Sequence, residues 1–235
     1  RGPSPTLRTS GSTATTMRMV SAANTQRHEK YEEYKAHRKP MPDGLVSQLP
    51  MIDEFVEKSG LRTVSLKGYE ADDVMATLAL QARAKGFKTY IVTRDKDMMQ
   101  LVDDSIFLFD LGKQNEDSLV VGAAEVKEKM GVGPEHIVDL LSLMGDSSDN
   151  VPGVSSVGPK SAVDLLQTYG SLENIYKNVG SISKKGLIAE PGFTFWLTPH
   201  HFIVVGFPLV IFISSSPTFK LSMPISSITR CRISP

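Results

Sequence analysis

Residues 68–97 read GYEADDVMATLALQARAKGFKTYIVTRDKD, and two changes of period within them decide the fold class. Across residues 70–85 the apolar positions recur at helical spacing, and Gly86 closes the helix. The next segment, KTYIVT at 88–93, is a continuous apolar run suited to a strand buried on both faces. Five carboxylates, Glu70, Asp72, Asp73, Asp95 and Asp97, stand at the ends of these two elements.

The same alternation continues on both sides. Asp43 precedes Leu45, Leu49, Ile52, Phe55 and Val56 at helical spacing, ending near Gly60, and TVSL at 63–66 reads as a short strand. MMQLV at 98–102 suits a short helix, and SIFLF at 105–109 another strand. Strands alternating with helices predict an α/β layer built on a parallel sheet with right-handed crossovers. After Gly122 the pattern is all-helical: AAEVKEKM, PEHIVDLLSLMG, PKSAVDLLQTYG and SLENIYKNV, with the loop DSSDNVPGVSSVG between the second and third. Pro and Gly mark their starts and stops, which predicts a small helical module behind the α/β layer.

Composition narrows the chemistry. The 235 residues have zero net charge, but residues 27–186 hold 25 of the 26 carboxylates against 20 of the 26 Lys and Arg, a net −5. An overall basic footprint for nucleic acid is absent, so any such contact must be local. The single Cys231 excludes an intrachain disulfide and a cysteine zinc cluster, and histidines 28, 37, 136, 200 and 201 show no ligand spacing. A bound metal would therefore take oxygen ligands, as Mg²⁺, Mn²⁺ or Ca²⁺ do.

The two ends differ from the middle. Residues 1–26 contain no Asp or Glu and show no apolar period, so they read as a disordered segment with a targeting-like composition. The tail from Leu187 contains only Glu190 as an acid and an apolar run, Phe202–Ile213, broken by Gly206 and Pro208. Twelve residues fall short of the ~20 needed for a membrane helix, so no membrane span is expected.

Three carboxylate groups carry the argument for chemistry. Glu70, Asp72 and Asp73 open a helix, where the dipole favours negative charge, and capping alone explains any one of them. Asp95 and Asp97 follow a buried strand at the end where α/β sheets place ligands, and their two-residue spacing puts both on one side of an extended segment. Asp146 and Asp149 lie in a loop whose Asp, Asn, Pro and Gly also suit plain turn chemistry. Together the seven would repel one another, by about 1 kcal/mol per pair at 4 Å even in bulk water, and would raise one another's pKa values unless cations neutralised them. That is the demand of a two-metal oxygen-ligand site, which suits phosphodiester cleavage without His or Cys.

Two further features accompany them. VPGVSSVGPKSA, residues 151–162, brackets a tight loop with Gly153 and Gly158. Its exposed N–H groups, the following helix N-terminus and Lys160 suit phosphate, though a chain-reversing corner has the same composition. RHEKYEEYKAHRKP, residues 27–40, carries Arg27, Lys35, Arg38 and Lys39. A solvated charged helix is the bland reading, and stabilisation of a phosphate by cations near the metals is the functional one.

Taken in order, RHEKYEEYKAHR, GYEADDVMATLA, TRDKDMMQLV and LMGDSSDNVPGVSSVGPKSAVDLL closely resemble the 5′-3′ exonuclease domain of bacterial DNA polymerase I and its flap-endonuclease relatives, from about Arg27 to Lys185. The resemblance implies a PIN-like nuclease domain over 27–121 and a helix-3-turn-helix DNA-binding module over 122–186. Residues 1–26 and 187–235 are then segments foreign to the family. By the same resemblance Glu70 and Asp72 are first-metal ligands with Asp73 close behind, Asp95, Asp97 and Asp149 are second-metal ligands, and Asp146 is a supporting carboxylate. Lys35 and Arg38 act on the scissile phosphate, Arg27 joins them in holding DNA, and Gly153, Val154, Ser155, Gly158 and Lys160 hold the duplex backbone.

Two Mg²⁺ or Mn²⁺ ions, K⁺ at the hairpin, a 5′-flapped or 5′-ended duplex as partner and a monomeric state are implied. The implied setting is intracellular and soluble, with an acid-poor start that hints at an organelle. In the family, N-terminal strands carry two aspartates, and residues 1–26 here contain none, so the sheet is expected to lack those central strands and leave apolar helix faces uncovered. An incomplete gene structure explains this, and a non-catalytic relative that binds branched DNA is the alternative.

Overall fold

The computed structural model describes residues 13–17, 25–59, 62–66, 68–112, 117, 119–182 and 210–214. In chain order it forms β1 (Thr13–Met17), α1 (Gln26–Lys30), α2 (Asp43–Val46), α3 (Leu49–Lys58), β2 (Arg62–Val64), α4 (Ala71–Ala84) and β3 (Thr89–Val92). A 3-10 turn at Lys96–Leu101 leads to β4 (Ile106–Asp110) and β5 (Leu119–Val121). The helical module follows as α5 (Ala123–Met130), α6 (Ile137–Met144), the two-residue strands β6 (Gly145–Asp146) and β7 (Val151–Pro152), α7 (Pro159–Tyr169) and α8 (Leu172–Lys177), and β8 (Val210–Ser214) stands apart near the C-terminus.

The main sheet has the order β2-β1-β8-β3-β4-β5. As expected, β3 pairs with β4 in parallel, and β1 pairs with β2 in the same sense. Two strands depart from the all-parallel expectation: β8 runs antiparallel between β1 and β3, and β5 antiparallel on the outer edge of β4. The expectation that the sheet lacks strands before Arg27 is corrected, because residues 13–17 pair through Thr15–Met17 with Arg62–Val64. The tail is likewise not wholly foreign to the fold, since VIFIS at 210–214 fills the place between β1 and β3. The remainder of 1–24 and of 187–235 lies outside the described residues. Among the described residues no helix is long and apolar enough to cross a membrane.

Helix α4 is the element that fixes the site to the core. Val74, Met75, Leu78, Ala79 and Ala82 are buried at i, i+1, i+4, i+5 and i+8, one stripe that packs in the same core as Ile91 of β3 and Ile106 and Leu108 of β4. Its start is set by Asp73, whose carboxylate accepts the Glu70 N–H at 3.0 Å, and its end by Gly86 at φ +79. Burial of that stripe leaves Glu70 and Asp72 at one end, beside the point where β3 emerges. By contrast α3 leaves Met51, Ile52 and Phe55 exposed, and buries only Val56.

The helical module has its own continuous packing: Ile137, Leu140 and Leu143 of α6 join Ala162, Leu165 and Leu166 of α7 and Ile175 of α8. Between α6 and α7 the chain crosses itself at Gly145 and Gly153. A Cβ on Gly145 would overlap the Gly153 amide nitrogen, and one on Gly153 would overlap the Met144 carbonyl, so neither position accepts a side chain. This crossing closes the loop 146–150 and turns it toward the end of β3.

Candidate active site

Three segments distant in sequence meet at one acidic cluster. At the α4 N-terminus Glu70 and Asp72 are 5% and 2% exposed. At the end of β3, Thr93 Oγ1 accepts the Asp95 N–H at 3.0 Å, and Asp95 Oδ1 accepts the Asp97 N–H at 2.9 Å, so a pair of local turns aims both aspartates. In the loop, Asp146 Oδ1 accepts the Ser148 N–H at 2.8 Å, and Asp149 is fully buried like Asp97.

The electrostatics show that these groups face one another. Burial first, then repulsion from Asp95 and Asp146, pushes the Asp97 carboxyl up to about 8. Burial, then Asp95 and Glu70, pushes Asp72 up to about 7. Asp95 and Asp149 are also raised by burial, each with Asp146 among the repelling neighbours.

Basic side chains of residues 27–38 lie against this cluster. Lys35 Nζ sits 2.9 and 2.8 Å from the two Glu70 oxygens, Tyr34 Oη donates to Glu70 Oε2 at 3.2 Å, and Arg38 Nη2 donates to Asp149 Oδ1 at 2.9 Å. Lys96, between the two β3 aspartates, pairs with Asp146 at 3.2 Å. Arg27 is placed differently from its expected role at DNA. It is mostly buried and forms two hydrogen bonds to Asp73, at 2.7 and 2.6 Å, so both oxygens of Asp73 are engaged as well. Burial lowers the pKa of Arg27, but the bond and charge of Asp73 and the charge of Glu70 outweigh it and hold the group firmly protonated.

Among the described residues no three carboxylates or histidines converge tightly enough, as their side chains stand, to enclose a metal ion. The donor set nevertheless fits one. Both oxygens of Asp97 and Oδ2 of Asp149 are buried without a hydrogen-bond partner, an arrangement costing several kcal/mol per ion unless a cation or proton compensates it. Lys35 pairs with Glu70, Lys96 with Asp146 and Arg38 with Oδ1 of Asp149, which leaves both oxygens of Asp97 and the second oxygen of Asp149 as the unpartnered part of the cluster.

The hairpin residues lie on the solvent side of the crossing. Gly153, Ser155, Gly158 and Lys160 are exposed, Val154 is half-buried with its N–H on the Leu143 carbonyl at 2.8 Å, and Val157 anchors the turn from inside. Nothing lies within 4 Å of a Cβ built on Gly158, which leaves the N-terminus of α7 open. The sequence reading missed Tyr34, Lys96 and Asn150. Lys96 had a signal, its place between two aspartates, whereas Tyr34 and Asn150 read as parts of a charged run and a turn.

Comparison with known proteins identifies two family domains in the chain. The profile of the 5′-3′ exonuclease N-terminal resolvase-like domain matches residues 6–131, and that of the 5′-3′ exonuclease C-terminal SAM fold matches residues 132–190. The 5′-3′ exonuclease of Buchnera aphidicola subsp. Acyrthosiphon pisum is 39% identical over 134 residues, 57% of this chain and 46% of that protein. The 5′-3′ exonuclease of Aquifex aeolicus is 44% identical over 132 residues, 56% of this chain and 44% of that protein. Thermostable DNA polymerase I of Thermus thermophilus is 42% identical over 128 residues, 54% of this chain and 15% of that protein. The chain thus spans less than half the length of the exonucleases it matches. In fold it is similar to T5 5′-exonuclease, solved with bound zinc, at a TM-score of 0.59 and 21% identity over 74% of this chain and 68% of that one. With two consecutive family domains matched across residues 6–190, the chain belongs to the 5′-3′ exonuclease family.

Proposed function

We propose that the chain hydrolyses phosphodiester bonds at 5′ ends and 5′ flaps of duplex DNA, with two divalent cations, in primer removal and repair. The observation that carries this reading is the set of three buried carboxylate oxygens without a partner, both of Asp97 and Oδ2 of Asp149, beside Arg38 and Lys35 at the end of a parallel strand. Asp95, Asp97 and Asp149, supported by Asp146, would hold one Mg²⁺ or Mn²⁺, and Glu70 and Asp72 would contribute to a second. When bound, such ions supply the positive charge and Lewis acidity for in-line displacement at phosphorus. Lys35 and Arg38 supply donors for the scissile phosphate, because each can exchange its carboxylate partner for a phosphate oxygen. The hairpin from Gly153 to Lys160 would hold the duplex backbone, with K⁺ as its ion, and selects structure over sequence. Asp73 and Arg27 serve as a pair that seats residues 27–38 on α4 rather than as free ligand and free phosphate contact.

A second reading has an observation in its favour: among the described residues no metal shell is preformed, and β1 (TATTM) carries no carboxylate. On that reading the chain binds branched DNA through the hairpin without cutting it. One assay separates the two, with a labelled 5′-flap duplex, Mg²⁺, and an Asp95→Ala, Asp97→Ala variant. Cleavage present in the parent and lost in the variant establishes the nuclease. Equal binding by both proteins with cleavage by neither sinks the enzyme reading in favour of the binding module.

A further inference from the structure

Besides the bond from Arg38 to the Asp149 carboxylate, residues 25–38 and the loop 146–150 are tied together by bonds in which none of the clustered carboxylate side chains takes part. Asn150 lies in the left-handed region at φ 60. Its Nδ2 donates to the Glu33 carbonyl at 2.8 Å, and its own carbonyl accepts from the Tyr31 hydroxyl at 3.0 Å. Two residues after Glu33, Lys35 is itself left-handed at φ 56, and its N–H donates to the Asp149 carbonyl at 2.9 Å. A lysine pays for that conformation in stability and keeps it only where its surroundings over-determine it.

From this arrangement we propose that Asn150 is a positioning residue, a latch that holds Lys35 in its left-handed conformation and so directs the Lys35 amine onto Glu70 at the edge of the acidic cluster. Asparagine suits the place on two counts. It tolerates the left-handed region better than other side chains do, and its amide offers a donor to a backbone carbonyl, where aspartate would set an acceptor against an acceptor. Removing the latch frees residues 31–35 to relax toward a helical φ, which swings the amine away from Glu70. The consequence for catalysis rests on the nuclease reading above, but the consequence for Lys35 does not.

The test is therefore read at Lys35 itself. The parent protein and Asn150→Gly, which keeps the backbone conformation and loses only the donor, are acylated with an amine-reactive reagent, and labelling is followed residue by residue by mass spectrometry. The Lys35 side chain is only 11% exposed, so release from Glu70 should raise its labelling several-fold relative to the exposed Lys85 and Lys127, with the thermal midpoint little changed. On flap DNA the same variant should lose activity in kcat, on the order of 10- to 100-fold, with KM unchanged, as displacement of a catalytic group by about an ångström does. If Asn150→Gly does not fold, Tyr31→Phe removes the second bond and should raise Lys35 labelling to a smaller extent. Unchanged Lys35 labelling in a folded variant overturns the latch, whatever the chain cleaves. Raised labelling in a protein whose parent cuts no DNA upholds the latch and overturns the nuclease reading alone.

Discussion

Arg27 and Asp73 meet fork to fork, Nη1 to Oδ2 at 2.7 Å and Nη2 to Oδ1 at 2.6 Å, and Asp73 Oδ2 also accepts the Glu70 N–H at 3.0 Å. One carboxylate thus starts α4 and seats the basic segment that carries Lys35 and Arg38. The side chains of the pair are mostly buried, at 16% and 21% exposure, so its bonds are not those of a screened surface pair. Arg27→Ala should cost about 1.5–3 kcal/mol, the range for hydrogen bonds to charged groups, read from the urea midpoint at constant m value. Arg27→Lys should recover only a minor part, because a point charge cannot reproduce the planar two-bond geometry. A lysine variant as stable as the parent would remove the pair from the account of the fold.

The raised carboxyls set the sign of the pH dependence. Asp97, up to about 8, and Asp72, up to about 7, bind protons more tightly in the folded state than in the unfolded chain, where Asp titrates at about 3.9. The unfolded state therefore binds fewer protons across this window, and metal-free stability falls as pH rises from about 4 toward 8. Below the unfolded value both states are protonated and the contribution is fully present. Thermal melts of metal-free protein between pH 5.5 and 8.5 should show a falling midpoint, with a shallower slope in Asp97→Asn. Mg²⁺ should raise the midpoint most at the alkaline end, where proton competition is least. A slope identical in parent and Asp97→Asn would place the titration elsewhere.

Much of this was legible in the sequence, and the losses have physical causes. Helix α4 could be read because one buried stripe of five residues repeats at helical spacing up to Gly86, and β3 because it is apolar on both faces. The edge strand β5 is three residues long with Leu119 and Val120 exposed, too short and too wet to carry a period. The placement of VIFIS inside the sheet depends on its partners β1 and β3, more than 100 residues away in sequence, and no local pattern specifies it. At the site, the acidic residues were readable from their spacing, whereas the commitment of Arg27 to Asp73 was not. A run such as RHEKYEEYK looks solvated until the element that covers it is known.

The crossing of Gly145 and Gly153 separates two kinds of glycine in the hairpin. Gly145 sits at φ +74 with the Gly153 amide and the Val151 carbonyl where a Cβ would go, so Gly145→Ala meets both backbone strain and backbone overlap. The strain alone costs about 1–2 kcal/mol, and the overlap forces the loop 146–150 to move. Gly158 has φ −92 and open space around it, so Gly158→Ala should leave the thermal midpoint within about a degree or two of the parent, as exposed surface changes do. Circular-dichroism melts of the two variants check this directly. Equal midpoints would mean that the crossing contributes nothing to the fold.

Lys160 and Lys35 carry the same charge in opposite settings, and their alanine variants should fail in opposite ways. Lys160 is exposed in the first turn of α7 beside the hairpin, so its removal should leave stability within about 0.5 kcal/mol of the parent. If it contacts a DNA phosphate, Lys160→Ala weakens duplex binding equally for unrelated sequences and lowers the slope of log K against log salt by about 1. Lys35 lies against a Glu70 that is only 5% exposed, and its loss leaves a buried carboxylate partly uncompensated. Lys35→Ala should therefore lower the thermal midpoint, where Lys160→Ala leaves it unchanged. Fluorescence anisotropy with two duplexes of different sequence, at four salt concentrations, together with thermal melts, distinguishes the two residues. A Lys160→Ala protein with an unchanged salt slope would move the duplex contact off the hairpin, because the charge lost there is the one counted by counterion release.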